Sequence, residues 1–134
     1  MDTLGLLLRV VVHAADIQDR DGAWRLLVGV GRLFPRLAKV WVDGGYAGEL
    51  LHRAQHLLGL VLEVVKRPDD QHGFVLLPRR WVVERSFAWY GRNRRLSKDY
   101  EIDPMYSESM VYLASIQLML RRLAHAPPTA SLTA

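Results

Sequence analysis

The sequence predicts an α/β layered domain, and three observations carry that prediction. Val- and Leu-rich runs of strand length alternate with longer amphipathic runs of helical period. Glycine, proline and aspartate punctuate the joins between them. The chain has 134 residues, half of them hydrophobic and 24% charged, which is ordinary globular composition with room for one core.

In chain order, Asp2 to Gly5 reads as a turn and Leu6–His13 as a buried strand. Asp16–Asp21 offers polar caps for a helix over Asp21–Phe34, with Trp24, Leu27, Val28 and Leu33 facing inward and Pro35 helping to end it. Ala38–Val42 is the second strand, Gly44-Gly45 a turn, and Ala47–Leu58 a helix with Gly59 as its C-cap. Leu60–Lys66 makes a third strand, Pro68–Gly73 is turn chemistry, and Phe74–Leu77 is a short extended piece. Pro78 opens a helix running through Arg95. A last helix, Pro104–His125, carries Met105, Val111, Tyr112, Ile116, Leu118, Met119 and Leu123 before a fraying tail that begins at Pro127. The alternation predicts at least two parallel strand pairs.

Charge and composition narrow the function classes. Lys and Arg total 18 against 14 Asp and Glu, a net charge of +4. The excess is local: Arg79, Arg80, Arg85, Arg92, Arg94, Arg95 and Lys98 crowd one stretch. Such a cluster suits phosphate or another polyanion, or else forms a solvated helix face. The absence of cysteine excludes disulfides and thiolate metal sites and suits a reducing cytosol. The apolar runs Leu6–Val12 and Leu57–Val65 are too short to span a bilayer, which needs about 20 residues.

The chemistry concentrates on two carboxylates. Asp43 follows the apolar strand, where ligands of open α/β sheets gather; its other reading is a cap for the next helix. Glu84 lies 41 positions later on the arginine-rich helix, where exposed ion pairs with Arg80 and Arg85 are the plain alternative. His52 and His56 share metal-ligand spacing but lack a third partner, and the Asp16, Asp19, Asp21, Gly22 cluster suits capping better than calcium. Trp81, Trp89 and Tyr90 are candidates for stacking on bases, with Trp89 or Tyr90 the first choice, although some of the three must be core.

Val42-Asp43-Gly44-Gly45-Tyr46 and Val83-Glu84-Arg85-Ser86-Phe87-Ala88-Trp89 together resemble the DDE transposases of bacterial insertion sequences, of the type of insertion-sequence families four and five. Leu7–Asp21 and Arg95–Glu101 extend the resemblance to about Ala124, in family order. The resemblance implies an RNase-H-like core with C-terminal helices in which three carboxylates hold two divalent ions, Mg2+ or Mn2+, for phosphoryl transfer on DNA. Asp43 then matches the second carboxylate and Glu84 the third, both as catalytic metal ligands.

Arg80 matches the Arg of the family's Tyr–Arg–Glu–Lys signature, whereas Leu77 and Gly91 replace its Tyr and Lys. Arg92, one position beyond, is a substitute phosphate contact, with Arg94 and Arg95 as further DNA-binding candidates. Asp2-Thr3 looks like the first acidic site. In relatives, however, that Asp-Thr-Leu-Gly turn itself recurs, with the first catalytic Asp upstream of it.

The resulting expectation is a partial DDE catalytic domain over 1–124, truncated before its opening strand, and a flexible tail over 125–134. Alone, it is expected not to transpose DNA. Insertion-sequence ends and target DNA are the expected partners, a homodimer is a further one, no membrane is involved, and the setting is the bacterial cytoplasm at the nucleoid. The alternative is a non-catalytic DNA-binding or dimerising remnant.

Overall fold

The computed structural model describes residues 1–65 and 80–125, with Arg80 described by its backbone alone. These residues form a mixed α/β arrangement of four helices and one small parallel sheet. Among them, no helix is long and apolar enough to cross a membrane.

The first region is helix α1 (Asp19–Leu33), strand β1 (Lys39–Val42), helix α2 (Glu49–Leu58) and strand β2 (Val61–Val64). α1 begins two residues earlier than its sequence predicts. The expected aspartate cap is not made: the N-cap is Gln18, without a side-chain hydrogen bond. Asp19 and Asp21 instead occupy the first turn, where negative charge is favoured by the helix dipole.

A tight turn, in which Leu37 N–H donates to Phe34 O at 2.9 Å, reverses the chain into β1. The N-terminus of α1 is thereby brought to the C-terminal end of β1. α2 ends as its sequence predicts: Gly59 takes φ +65°, and Leu60 N–H reaches back to Ala54 O at 3.2 Å. β2 then pairs in parallel with β1, Lys39 against Val61 and Val42 against Val64.

Leu27, Leu50, Ala54, Leu60 and Leu62 form the core of this region, with Trp24, Val40, Val42 and Tyr46 packed against it. Val30 is also buried, whereas Leu33, expected inward, is exposed in the last turn of α1.

Leu6–His13 is not a strand, and the described residues contain one parallel pair rather than two. This segment satisfies itself by other means. Val10 N–H donates to Tyr112 Oη (3.3 Å) and Val12 N–H to Glu108 Oε1 (2.9 Å), both on helix α4 (Pro104–Ala124). Its side chains seat on α1, where the His13 ring lies so close to Gly22 that a Cβ there would come within 2.4 Å. Backbone donors taken up by side chains are not offered to a ladder.

The predicted helix through Arg95 is divided into α3 (Arg80–Tyr90) and a single 3-10 turn (Arg94–Leu96). Asn93 folds back on Tyr90 O through both its side chain (3.2 Å) and its backbone N–H (2.9 Å), and Gly91 disfavours a further helical turn. α4 starts with Asp103 Oδ1 accepting from Met105 N–H and Pro104 in the first position. The segments Pro68–Gly73 and Phe74–Leu77, Pro78 and the tail from Pro127 lie outside the described residues.

Candidate functional site

Asp43 stands exposed where β1 ends. Its Oδ1 accepts from Gly45 N–H at 3.0 Å, and its backbone O accepts from Tyr46 N–H at 3.2 Å. It therefore caps the 3-10 turn Gly44–Tyr46 and not α2, whose N-cap is Gly48. The bond orients the carboxylate while leaving it open to solvent.

Beside it is an open crevice of about 310 Å3, lined by Gln18, Asp19 and Arg20 from the start of α1 and by Asp43, Gly45 and Tyr46. Arg20 donates to Gly45 O at 3.4 Å. The Tyr46 hydroxyl is held above its ordinary pKa, first by burial and then by the negative charges of Asp19 and Asp43. Two carboxylates thus act on one phenol at the strand end.

Asp19, Arg20 and Tyr46 were not legible as site residues from motif alone. One signal does point to them: a short helix-to-strand turn must return the start of the helix to the end of the strand.

Glu84 is exposed on α3, the helix that packs on α4, and it does not line the crevice of Asp43. Next to it in sequence, Arg85 turns to structural work. Its guanidinium lies over Trp81 (4.2 Å) and Trp89 (4.7 Å) and donates to Leu4 O at 3.0 Å. Arg92 and Arg94 are exposed, and Arg95 is drawn into an ion pair with Glu101.

The preferred base-stacking candidates are corrected. Tyr90 is buried, with its hydroxyl bonded to Ser115 Oγ at 2.9 Å, and Trp89 is half-buried between Arg85 and Arg122. The exposed aromatics on α3 are Trp81 and Phe87, three positions either side of Glu84. Phe87 was overlooked because helical spacing does not reveal which face a helix buries.

Carboxylates suit a hard divalent ion. Among the described residues, however, no three His, Asp or Glu side chains come together to hold a metal. Asp43 and Glu84 do not by themselves make a metal centre. His52 and His56 are exposed on α2 and likewise gain no third partner among these residues. Asp2, the superficial first carboxylate, is a turn former: its Oδ1 accepts from Leu4 N–H (2.9 Å) and Leu6 N–H (2.8 Å).

Comparison with known proteins gives the family. The family model described as "Transposase DDE domain" matches residues 1–109. The chain belongs to this family. It is 31% identical over 107 residues to a putative transposase for insertion sequence element IS402 from Burkholderia cepacia, covering 75% of this chain and 50% of that protein. The chain thus spans about half the length of this relative. No solved structure matches it.

Proposed function

We propose that this chain contributes the second and third carboxylates, Asp43 and Glu84, to an RNase-H-like transposase centre that cleaves and joins insertion-sequence DNA. The observation that carries the reading is the Asp43 carboxylate, exposed at the C-terminal end of a parallel strand and oriented by Gly45 N–H. A bound Mg2+ or Mn2+ would supply charge to the phosphoryl oxygens and acidify the attacking water or 3′-hydroxyl. Asp43 and Glu84 would hold that ion together with a third carboxylate. Arg92 and Arg94, exposed beyond α3, would take the phosphates of insertion-sequence ends and target DNA, with Arg80 and Arg95 in support. The proposed setting is the bacterial cytoplasm at the nucleoid.

Because no third carboxylate joins Asp43 or Glu84 in a metal-holding group among the described residues, the chain alone is proposed to bind the ion weakly and not to transpose. Mn2+ should broaden the NMR signals around Asp43 and Glu84, and Asp43→Asn should remove the effect. Signals indifferent to Mn2+ would sink the metal reading. Mg2+-dependent cleavage or strand transfer by the purified chain, abolished by Asp43→Ala, would overturn the proposed inactivity.

The second reading is a non-catalytic DNA binder, favoured by the exposure of Arg92 and Arg94. It requires a salt-sensitive gel shift that weakens when both are replaced by Ala and is indifferent to Asp43→Asn.

A further inference from the structure

Arg20 stands where its helix least favours it. Asp19, Arg20 and Asp21 fill the first turn of α1, the positive end of the helix dipole, which suits the two aspartates and repels a cation. No ion pair offsets this: Arg20 is exposed, and among the described residues no carboxylate lies within ion-pair distance of it. The one acceptor it reaches among them is Gly45 O, at a long 3.4 Å. Most of its N–H donors are thereby left for an acceptor outside these residues. Among the described residues that line the crevice of Asp43, it is also the only cation.

The rest of the crevice selects what the guanidinium can take. Asp19 and Asp43 put two negative charges on its walls, so an anion enters against repulsion unless a cation meets it. Burial and those two carboxylates keep the Tyr46 phenol protonated, so it adds an O–H donor rather than a third negative charge. The planar guanidinium matches two oxygens of one phosphate. A phosphodiester suits this setting, because it bears a single negative charge and presents two non-bridging oxygens to the fork.

We propose that Arg20 grips a backbone phosphate of the DNA strand lying beside Asp43, its guanidinium bridging that phosphate and Gly45 O. The choice of DNA as the phosphodiester rests on the transposase reading of Asp43. The contact seats a strand from the α1 side of the crevice, whereas Arg92 and Arg94 lie beyond α3. Through Gly45 it also ties the seating of the strand to the turn whose N–H orients the Asp43 carboxylate.

Fluorescence anisotropy of a short mixed-sequence DNA duplex, titrated with the purified chain in Mg2+ across a salt series, tests the contact. Arg20→Gln should weaken binding by about 10-fold and make the slope of log K against log salt shallower by about 0.9, one phosphate's share. Arg20→Lys should restore the slope, because counterion release follows charge. Arg32→Gln removes an exposed arginine in the last turn of the same helix, about 18 Å along its axis and beyond a Debye length, and should change neither quantity. An unchanged slope in Arg20→Gln, an equal loss in Arg32→Gln, or absent or salt-insensitive binding by the unaltered chain would overturn the contact. A slope that Arg20→Lys fails to restore would also overturn it and make Arg20 a brace for the turn. Failure of the metal reading looks different: the Asp43 signals would ignore Mn2+ while Arg20→Gln still flattened the slope, and the phosphate contact would stand.

Discussion

The two regions of this molecule are held together by different chemistry. Around β1, α2 and β2 the buried set is wholly apolar: Leu27, Leu50, Ala54, Leu60 and Leu62. Between α3, α4 and the N-terminal turn, the residues that lock the contact are Ser86, Tyr90 and Ser115, all buried, with Arg85 and Arg122 over the tryptophan rings. Ser86 Oγ lies 2.9 Å from both Gly5 O and Val82 O. Ser115 Oγ donates to Val111 O at 2.7 Å, so Tyr90 is the donor in the bond between them. Asp43 stands on the apolar region and Glu84 on the polar one. The two carboxylates thus stand on regions held by different kinds of contact.

Leu60→Ala should cost about 2–5 kcal/mol in urea unfolding, since the side chain is completely enclosed and its removal leaves a cavity. Ser86→Ala should cost less, about 1–3 kcal/mol, by leaving the Gly5 carbonyl without its buried donor. Tyr90→Phe, which removes only the hydroxyl that bonds Ser115, should cost about 1 kcal/mol in the same assay. If Leu60→Ala proves no more costly than Tyr90→Phe, the division between an apolar and a polar region fails.

The smallest effect concerns the crevice. Asp19→Asn and Asp43→Asn should each lower the pKa of Tyr46 in an absorbance titration, Asp19→Asn the more, while the larger part due to burial persists. The sign for stability follows from the folded state holding the phenolic proton more firmly than the unfolded chain. Tyr46 leaves stability unchanged below its ordinary value of 10.0 and lowers it as pH rises from there through the folded value.

Elements whose signals are local were readable in advance. β1 and α2 came out within two residues of their expected bounds, because Pro35, the Gly44-Gly45 pair and Gly59 mark their ends through backbone chemistry that acts over a few residues. The Asp2–Gly5 turn was legible for the same reason, and its glycine is doubly required. Gly5 takes φ +79°, and a Cβ there would lie 2.6 Å from Ser86 Oγ.

The Leu6–His13 segment was not legible. A Val-rich run reads as a strand, but strand formation needs a neighbour's backbone, and the groups that meet this one are Tyr112 and Glu108 about a hundred residues away. The burial of Tyr90 and the exposure of Phe87 were not legible for an equivalent reason: which side of α3 is buried depends on α4 and Leu4–Gly5.

The residues alone carried the family resemblance, the order of the elements from α1 to β2, and the placing of Asp43 just past an apolar strand. These rest on residue identity and short-range backbone preference. The tertiary structure added that Asp43 shares a crevice with Asp19, Arg20 and Tyr46, and that Arg85 and Tyr90 are structural. Each of those depends on which surfaces meet, and a chain's local preferences do not encode its distant neighbours.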